Sequence, residues 1–265
     1  MLTQSKKNFI KKLLHKKYRE KEGVFLVEGW RAVEEIVHSH YPIEILLSHN
    51  NVEEKYRTIL SSAQKKTLEC FQLTEKEISS ISETEHSQGI IAVVKKLHYD
   101  FSHELTRLSQ QTSALVVALD TIADPGNLGT IIRTCDWFGV DMLLLSKQCV
   151  ELYNPKVVRS TVGSLFHLPI ITDIEIENVI SDFRSFGFTA YGTEIQSSSE
   201  IQKTQWSKKS LIVIGSEARG ISSSISSLLD EKISIPKFGK AESLNASVAC
   251  GVVLAQYKLE NGKNI

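Results

Sequence analysis

Hydrophobic positions along the chain follow two rhythms: short unbroken apolar runs, and longer stretches where they recur every three or four residues. Runs at 24–27, 43–47 and 90–94 predict strands, and 29–37 predicts a helix between the first two. Together they predict a small α/β domain over residues 1–96. Residues 97–112 are polar, with isolated apolar positions, and are expected to be a linker. From 113 to 265 the alternation becomes regular, with strands predicted at 114–119, 142–145, 168–171, 189–191, 211–214 and 233–235 and helical stretches between them. Continuous apolar strands alternating with helices predict a mostly parallel sheet covered on both faces. One of these helices carries Leu128, Ile131, Ile132 and Cys135 on a single face, and the last carries Leu244, Val248, Val252 and Ala255.

Composition changes this picture little. The chain has 265 residues, 42% of them hydrophobic, and a net charge of +0, so no global field draws it to a polyanion or a membrane. Nucleic-acid affinity must therefore come from local clustering. Lys6, Lys7, Lys11, Lys12, Lys16, Lys17, Arg19 and Lys21 face only Glu20 and Glu22, with Phe9, Ile10, Leu13 and Leu14 at helical spacing among them. This run predicts an amphipathic helix with one basic face, and Lys11, Lys12, Lys16, Lys17 and Arg19 are its candidate RNA contacts. The four cysteines, Cys70, Cys135, Cys149 and Cys250, are scattered and form no CxxC pair. Cys135 and Cys250 read as buried small hydrophobes in a reducing compartment, and no metal site is expected. No apolar run reaches membrane-spanning length and the first residues lack a signal-peptide core, so a cytoplasmic protein is expected.

Three stretches place glycines, small polar residues and single charges where strands give way to helices, the position at which parallel sheets bind ligands. In the first, residues 120–133, Asp124-Pro125-Gly126 reads as a turn, Asn127 as a helix N-cap, and Arg133 lies about two turns further on. A dinucleotide fingerprint fits poorly. Gly126 and Gly129 leave GxGxxG incomplete, and the next strand ends in Leu145-Ser146 where a ribose-binding acid would stand. The second stretch runs from Leu211 through Gly215-Ser216-Glu217 to Gly220, and the third from Ile233 through Pro236 to Ser243-Leu244-Asn245 and Ser247.

In this order the three stretches resemble the motifs of the SpoU/TrmH branch of the SPOUT RNA methyltransferases. The first motif matches at Asn127, Gly129 and Arg133, the second at Gly215, Ser216, Glu217 and Gly220, and the third at Ile235, Pro236, Ser243, Leu244, Asn245 and Ser247. Residues 1–96 resemble the accessory substrate-binding domain that often precedes this catalytic domain, in the segments 11–17 and 22–29. One departure is His167, where related sequences often carry arginine.

The resemblance implies an α/β protein with a trefoil-knotted, parallel-sheet SPOUT domain at 113–265, behind a small α/β RNA-binding domain resembling a ribosomal protein. It implies methyl transfer from S-adenosylmethionine to a ribose 2′-hydroxyl of structured RNA, ribosomal RNA being favoured over transfer RNA, and a homodimer formed through the catalytic domain. A non-catalytic RNA-binding protein on the same fold is the alternative from another class. Carried over by motif position, Gly215, Gly220, Ile235 and Leu244 line the cofactor pocket, while Arg133, Asn127, Glu217, Ser243 and Asn245 carry the chemistry. Arg133 acts either as base or as electrostatic clamp. Guanidinium is effectively always protonated, which favours the clamp.

Overall fold

A computed structural model describes residues 2–82, 87–195, 197 and 199–262. The elements in chain order begin with α1 (Gln4–Lys12), α2 (Lys16–Glu22), β1 (Val24–Glu28), α3 (Trp30–His38), β2 (Ile43–His49), α4 (Arg57–Lys65), β3 (Thr67–Leu73), α5 (Glu75–Ser79) and β4 (Ile90–Lys95). Next come α6 (Phe101–Ser109), β5 (Ala114–Asp120), α7 (Pro125–Trp137), β6 (Met142–Ser146), α8 (Pro155–Thr161), β7 (Ile170–Ile174), α9 (Ile176–Ser185) and β8 (Thr189–Thr193). The chain closes with β9 (Ser199–Glu200), β10 (Lys209–Gly215), α10 (Ser223–Ser226), β11 (Glu231–Ser234) and α11 (Ala246–Asn261). Two compact units result: Met1–Leu97 with Glu151–His167, and His98–Val150 with Leu168–Ile265.

The first unit is built on a four-stranded sheet of order β1-β4-β2-β3, antiparallel except between β2 and β3. Both faces are covered, which explains the unbroken apolar runs. Val24, Leu26, Ile45, Leu47, Ile91 and Val93 meet Ile10, Leu13, Ile78 and Ile81 on one side. On the other, Phe25 lies with its ring centroid 6.4 Å from Tyr41, 4.4 Å from Tyr153 and 6.5 Å from Phe166. Residues 151–167, from within the stretch expected to be C-terminal domain, thus complete this core. The edge strand β3 has no apolar alternation to announce it, since most of its side chains are exposed.

The expected basic helix is two helices. α1 ends at Leu13 and α2 starts after His15, whose φ of −100° and ψ of 133° are extended. Helix ends strand carbonyls without partners. Here the carbonyls of Leu13 and Leu14 accept from Nη1 of Arg19 at 2.8 and 2.7 Å.

The second unit is a seven-stranded sheet of order β7-β6-β5-β10-β8-β11-β9, with every neighbouring pair parallel. Val116, Ala118, Leu144, Leu211 and Val213 pack against Ile176, Val179, Ile180 and Phe183 of α9. The alternate residues, Val117, Leu119, Leu143, Ile212 and Ile214, are equally buried, on the face where α11 packs on α7 and β10. Each such branched side chain contributes about 1.5–3 kcal/mol by leaving water. The stretch expected to be a linker carries α6, capped by Asp100, whose Oδ1 accepts from the backbone N of His103 at 2.7 Å. Its isolated apolar residues Leu105 and Leu108 sit on one helical face and enter the core.

Candidate active site

The ends of β5, β10, β8 and β11 open toward one edge of the parallel sheet, and the three motif stretches lie in the loops that follow β5, β10 and β11. β5 and β10 finish in register, Asp120 opposite Gly215. Asp120 is buried; one carboxylate oxygen accepts from the backbone N of Ser222 at 2.8 Å and the other from the hydroxyl of Thr121 at 2.9 Å. This fastens the β5 end to the loop after β10. Thr121 itself takes a φ of +61°, a conformation that costs a non-glycine residue roughly 1–2 kcal/mol. Its backbone N donates to the Ser146 hydroxyl at 3.0 Å, which helps to hold it there.

Helix α7 begins one turn earlier than the sequence suggests. Asp124, not Asn127, is its N-cap, with Oδ1 accepting from the backbone N of Asn127 at 2.8 Å. Pro125 at the first helical position explains the shift, because its fixed φ suits a helix start and its missing N–H goes unmissed there. The side chain of Asn127 is thereby free to act elsewhere.

It joins the three motifs. Asn127 Nδ2 donates to Glu217 Oε1 at 2.5 Å, and Asn127 Oδ1 accepts from Asn245 Nδ2 at 2.9 Å. The same Glu217 oxygen accepts from the backbone N of Ala246 at 3.1 Å. Asn245 also caps α11, its Oδ1 accepting from the backbone N of Ser247 at 2.9 Å and the Ser247 hydroxyl at 2.6 Å. Asparagine suits this position because its amide caps a helix with oxygen while donating from nitrogen. Glu217 thus holds Asn127 and the start of α11.

Beside this ring lies a cavity of about 260 Å³, lined by residues that include Gly215, Glu217, Gly220, Ile235, Ser243 and Leu244. A Cβ at Gly215 would stand 2.1 Å from the backbone carbon and 2.3 Å from the carbonyl oxygen of Gly220, so only glycine fits. Gly220 takes a φ of +67° and exchanges backbone hydrogen bonds with Ser216, folding the 216–220 loop back on itself. An apolar lining of Ile214, Ile235 and Ala249 beside glycine backbone suits the flat adenine ring of a nucleoside cofactor, whose faces pack on apolar side chains while its polar edge meets backbone groups.

Arg133 stands apart. It is exposed on α7, makes no hydrogen bond or ion pair among the described residues, and does not line the cavity. Its guanidinium is open to an incoming anion. Sequence reasoning missed the Thr193-Glu194-Ile195 segment, which lines the cavity after β8. Burial favours the neutral acid at Glu194, yet the Ser226 hydroxyl at 2.7 Å and the Lys232 ammonium at 3.0 Å outweigh it and hold the carboxyl below its ordinary range. The available signal was its place immediately after a parallel strand.

In the first unit, Lys11, Lys12, Lys16 and Lys17 are exposed. Arg19 is not a surface cation. It is 2% exposed, pairing with Glu151 through two nitrogens, one at 3.1 Å, and with the α1 carbonyls described above. Sequence grouped it with the lysines because buried and exposed cations look alike in a basic run. His167 is exposed, with Nε2 3.2 Å from Glu35 Oε2, a contact inside the first unit. Cys135 and Cys250 are both fully buried, and burial drives the Cys135 thiol well above its ordinary range.

Residues 114–255 match the model of the SpoU rRNA Methylase family, and residues 6–92 that of the MRM3-like substrate binding domain. The chain is 31% identical to the 23S rRNA (guanosine(2553)-2′-O)-methyltransferase RlmP of Bacillus subtilis, over 92% of each protein. Among solved structures it resembles the SpoU methyltransferase AviRb of Streptomyces viridochromogenes in complex with AdoMet, with a TM-score of 0.87, 27% identity, and 99% of this chain and 100% of that one covered. It also resembles an AdoMet-bound rRNA methyltransferase from Sinorhizobium meliloti, with a TM-score of 0.86, 26% identity, and coverage of 98% and 96%.

Proposed function

The chain belongs to the SpoU rRNA methylase family, and from that premise we propose that it methylates a ribose 2′-hydroxyl of ribosomal RNA, using S-adenosylmethionine. The observation that carries this reading is the ring of hydrogen bonds from Asn245 to Asn127 to Glu217 to Ala246, which gathers all three motifs beside the glycine-walled cavity. When bound, the cofactor supplies a methyl group on a sulfonium, an activated donor whose leaving group becomes neutral.

The protein's own task is to position a weak nucleophile and stabilise it as it loses its proton. Gly215, Gly220, Ile235 and Leu244 hold the adenosine end. Asn127, Glu217 and Asn245 fix the three loops in one geometry, and Ser243, exposed on the cavity wall, is placed to meet the substrate ribose. Arg133 clamps the adjacent phosphate and stabilises the developing alkoxide; permanently charged, it is a poor candidate for base. Residues 1–96 hold the RNA, with Lys11, Lys12, Lys16 and Lys17 on phosphates, in a domain resembling a ribosomal protein, and residues 113–265 carry the chemistry.

Two finer features belong to the same reading. The C-terminal chain is knotted, as the family resemblance implies, with β10 entering the sheet between the earlier strands β5 and β8. The protein works in the cytoplasm as a homodimer. Supporting the dimer, the apolar positions that the sequence places on α11 are largely in water: Val248 is 51% and Val252 37% exposed, while Cys250, Val253, Leu254 and Tyr257 fill the core. Trp137, 85% exposed on the neighbouring α7, extends this apolar surface.

The direct test maps ribose methylation across total RNA from cells with and without the protein. A ribosomal-RNA site lost on deletion is expected. A lost transfer-RNA site would overturn the substrate, and an unchanged map together with no methyl transfer by the purified protein would overturn the enzyme.

A further inference from the structure

Phe238 is the most exposed large apolar side chain among the described residues, with 95% of its surface in water. Burial would remove a large apolar area, so an aromatic ring left in water at a cavity rim marks a surface that meets something. The ring does not hang on a loose tail. Its loop leaves β11 just after Ile233 and Ser234, both buried, and returns at Asn245, which is fixed by the α11 cap and by Asn127. Phe238 therefore stands on a stretch tied down at both ends.

Its neighbours say what it meets. Lys237 and Lys240 are exposed and make no ion pair among the described residues, and Glu242 is the only acid on the loop. Phe238, Lys237 and Gly239 all line the same cavity as Gly215 and Ser243. An aromatic ring between unpaired lysines is the pairing by which proteins hold unstacked nucleotides, the ring replacing lost base stacking and the ammonium groups meeting phosphates. A nucleotide that leaves its helical stack to bring its 2′-hydroxyl to the cavity mouth gives up stacking, and an exposed ring at that mouth compensates for it.

We propose that Phe238 is a stacking platform for a base of the substrate RNA, flanked by Lys237 and Lys240 as phosphate contacts, at the rim where the methyl group is delivered. The proposal rests on the ribose-methylation reading above. Its test uses the full chain with Phe238→Ala, Phe238→Leu and Phe238→Trp, and three readouts: methyl transfer to total ribosomal RNA from cells lacking the gene, calorimetric binding of S-adenosylmethionine, and fluorescence quenching of short single-stranded RNA carrying 2-aminopurine.

Alanine and leucine should raise the KM for RNA roughly tenfold, tryptophan should restore it, and cofactor affinity should stay as in the wild type. Wild-type protein should quench 2-aminopurine and Phe238→Ala should not. Unchanged KM and quenching in Phe238→Ala would overturn the proposal. So would weakened cofactor binding, which would place the ring over the cofactor, or a shift toward monomer in sedimentation, which would place it in a protein interface. Quenching needs no turnover. If the wild-type chain methylates no RNA, the functional reading fails while the stacking platform is still decided by its own signal.

Discussion

Replacing Gly215 by alanine adds one methyl group and should cripple cofactor binding. The new Cβ would stand 2.1 Å from the Gly220 carbonyl carbon, 2.3 Å from its oxygen and 2.3 Å from the Ile221 nitrogen, where real Cβ contacts essentially never fall under 3.0 Å. The loop would have to withdraw by about 0.9 Å to reach even that limit. All three atoms are backbone, so no side chain can rotate out of the way. The motion breaks the paired hydrogen bonds between Ser216 and Gly220, at 3.2 and 2.8 Å, each contributing about 1 kcal/mol. A cofactor that needs the loop in its original place must restore it against about 2 kcal/mol, which weakens affinity roughly 30-fold. Gly239→Ala is the matched control, since it lines the same cavity but its Cβ would meet nothing within 4 Å. Gly220→Ala should be intermediate, because its Cβ is also unobstructed and only its φ of +67° opposes it, by about 1–2 kcal/mol. Titration calorimetry with S-adenosylmethionine, alongside thermal unfolding, separates binding from stability. A folded Gly215→Ala protein binding the cofactor within about threefold of wild type would refute the reasoning.

Three further outcomes are expected. Arg133→Ala should leave cofactor affinity nearly intact and slow single-turnover methyl transfer by roughly 100-fold or more, and lysine should not rescue it, because an ammonium lacks the planar two-pronged donor geometry; a normal rate on saturating RNA would exclude the clamp. Replacing Lys11, Lys12, Lys16 and Lys17 with alanine should weaken RNA binding broadly and flatten its salt dependence by a log–log slope of up to about 4, while unchanged affinity at low salt would mark the lysines as a solvated face. Trp137→Glu combined with Val252→Glu should convert the full chain to monomer in micromolar sedimentation, and a persisting dimer would move the interface elsewhere.

Most of the architecture was legible because burial on both sides writes itself as unbroken apolar runs, as in β5 and β10. The edge strand β3, exposed along most of its length, carries no such signature. Helix α6 was hidden for a related reason: its buried face is narrow, so the surrounding polar residues made it look like a linker. At the site, the motif residues could be named from their order, but their bonds span 90 and 118 positions, and no local pattern reports that Asn127 holds Glu217 and Asn245. Arg19 illustrates the converse difficulty. Its type and neighbours suggested a surface cation, and only the carboxylate of Glu151, 132 positions away, explains its burial.

That pairing has a consequence for the order of events at the ribosome. Residues 1–97 emerge first, yet the compact unit they enter also contains residues 151–167. Until that later segment is synthesised, Arg19 lacks its carboxylate, and Phe25 lacks the rings of Tyr153 and Phe166. The first unit therefore cannot finish folding as an independent N-terminal domain does during synthesis; it waits, with apolar surface open, while α6, β5, α7 and β6 are being made. A graft of residues 1–97 alone leaves Arg19 without Glu151 and Phe25 without the rings of Tyr153 and Phe166, so moving this unit with its packing intact means carrying residues 151–167 along.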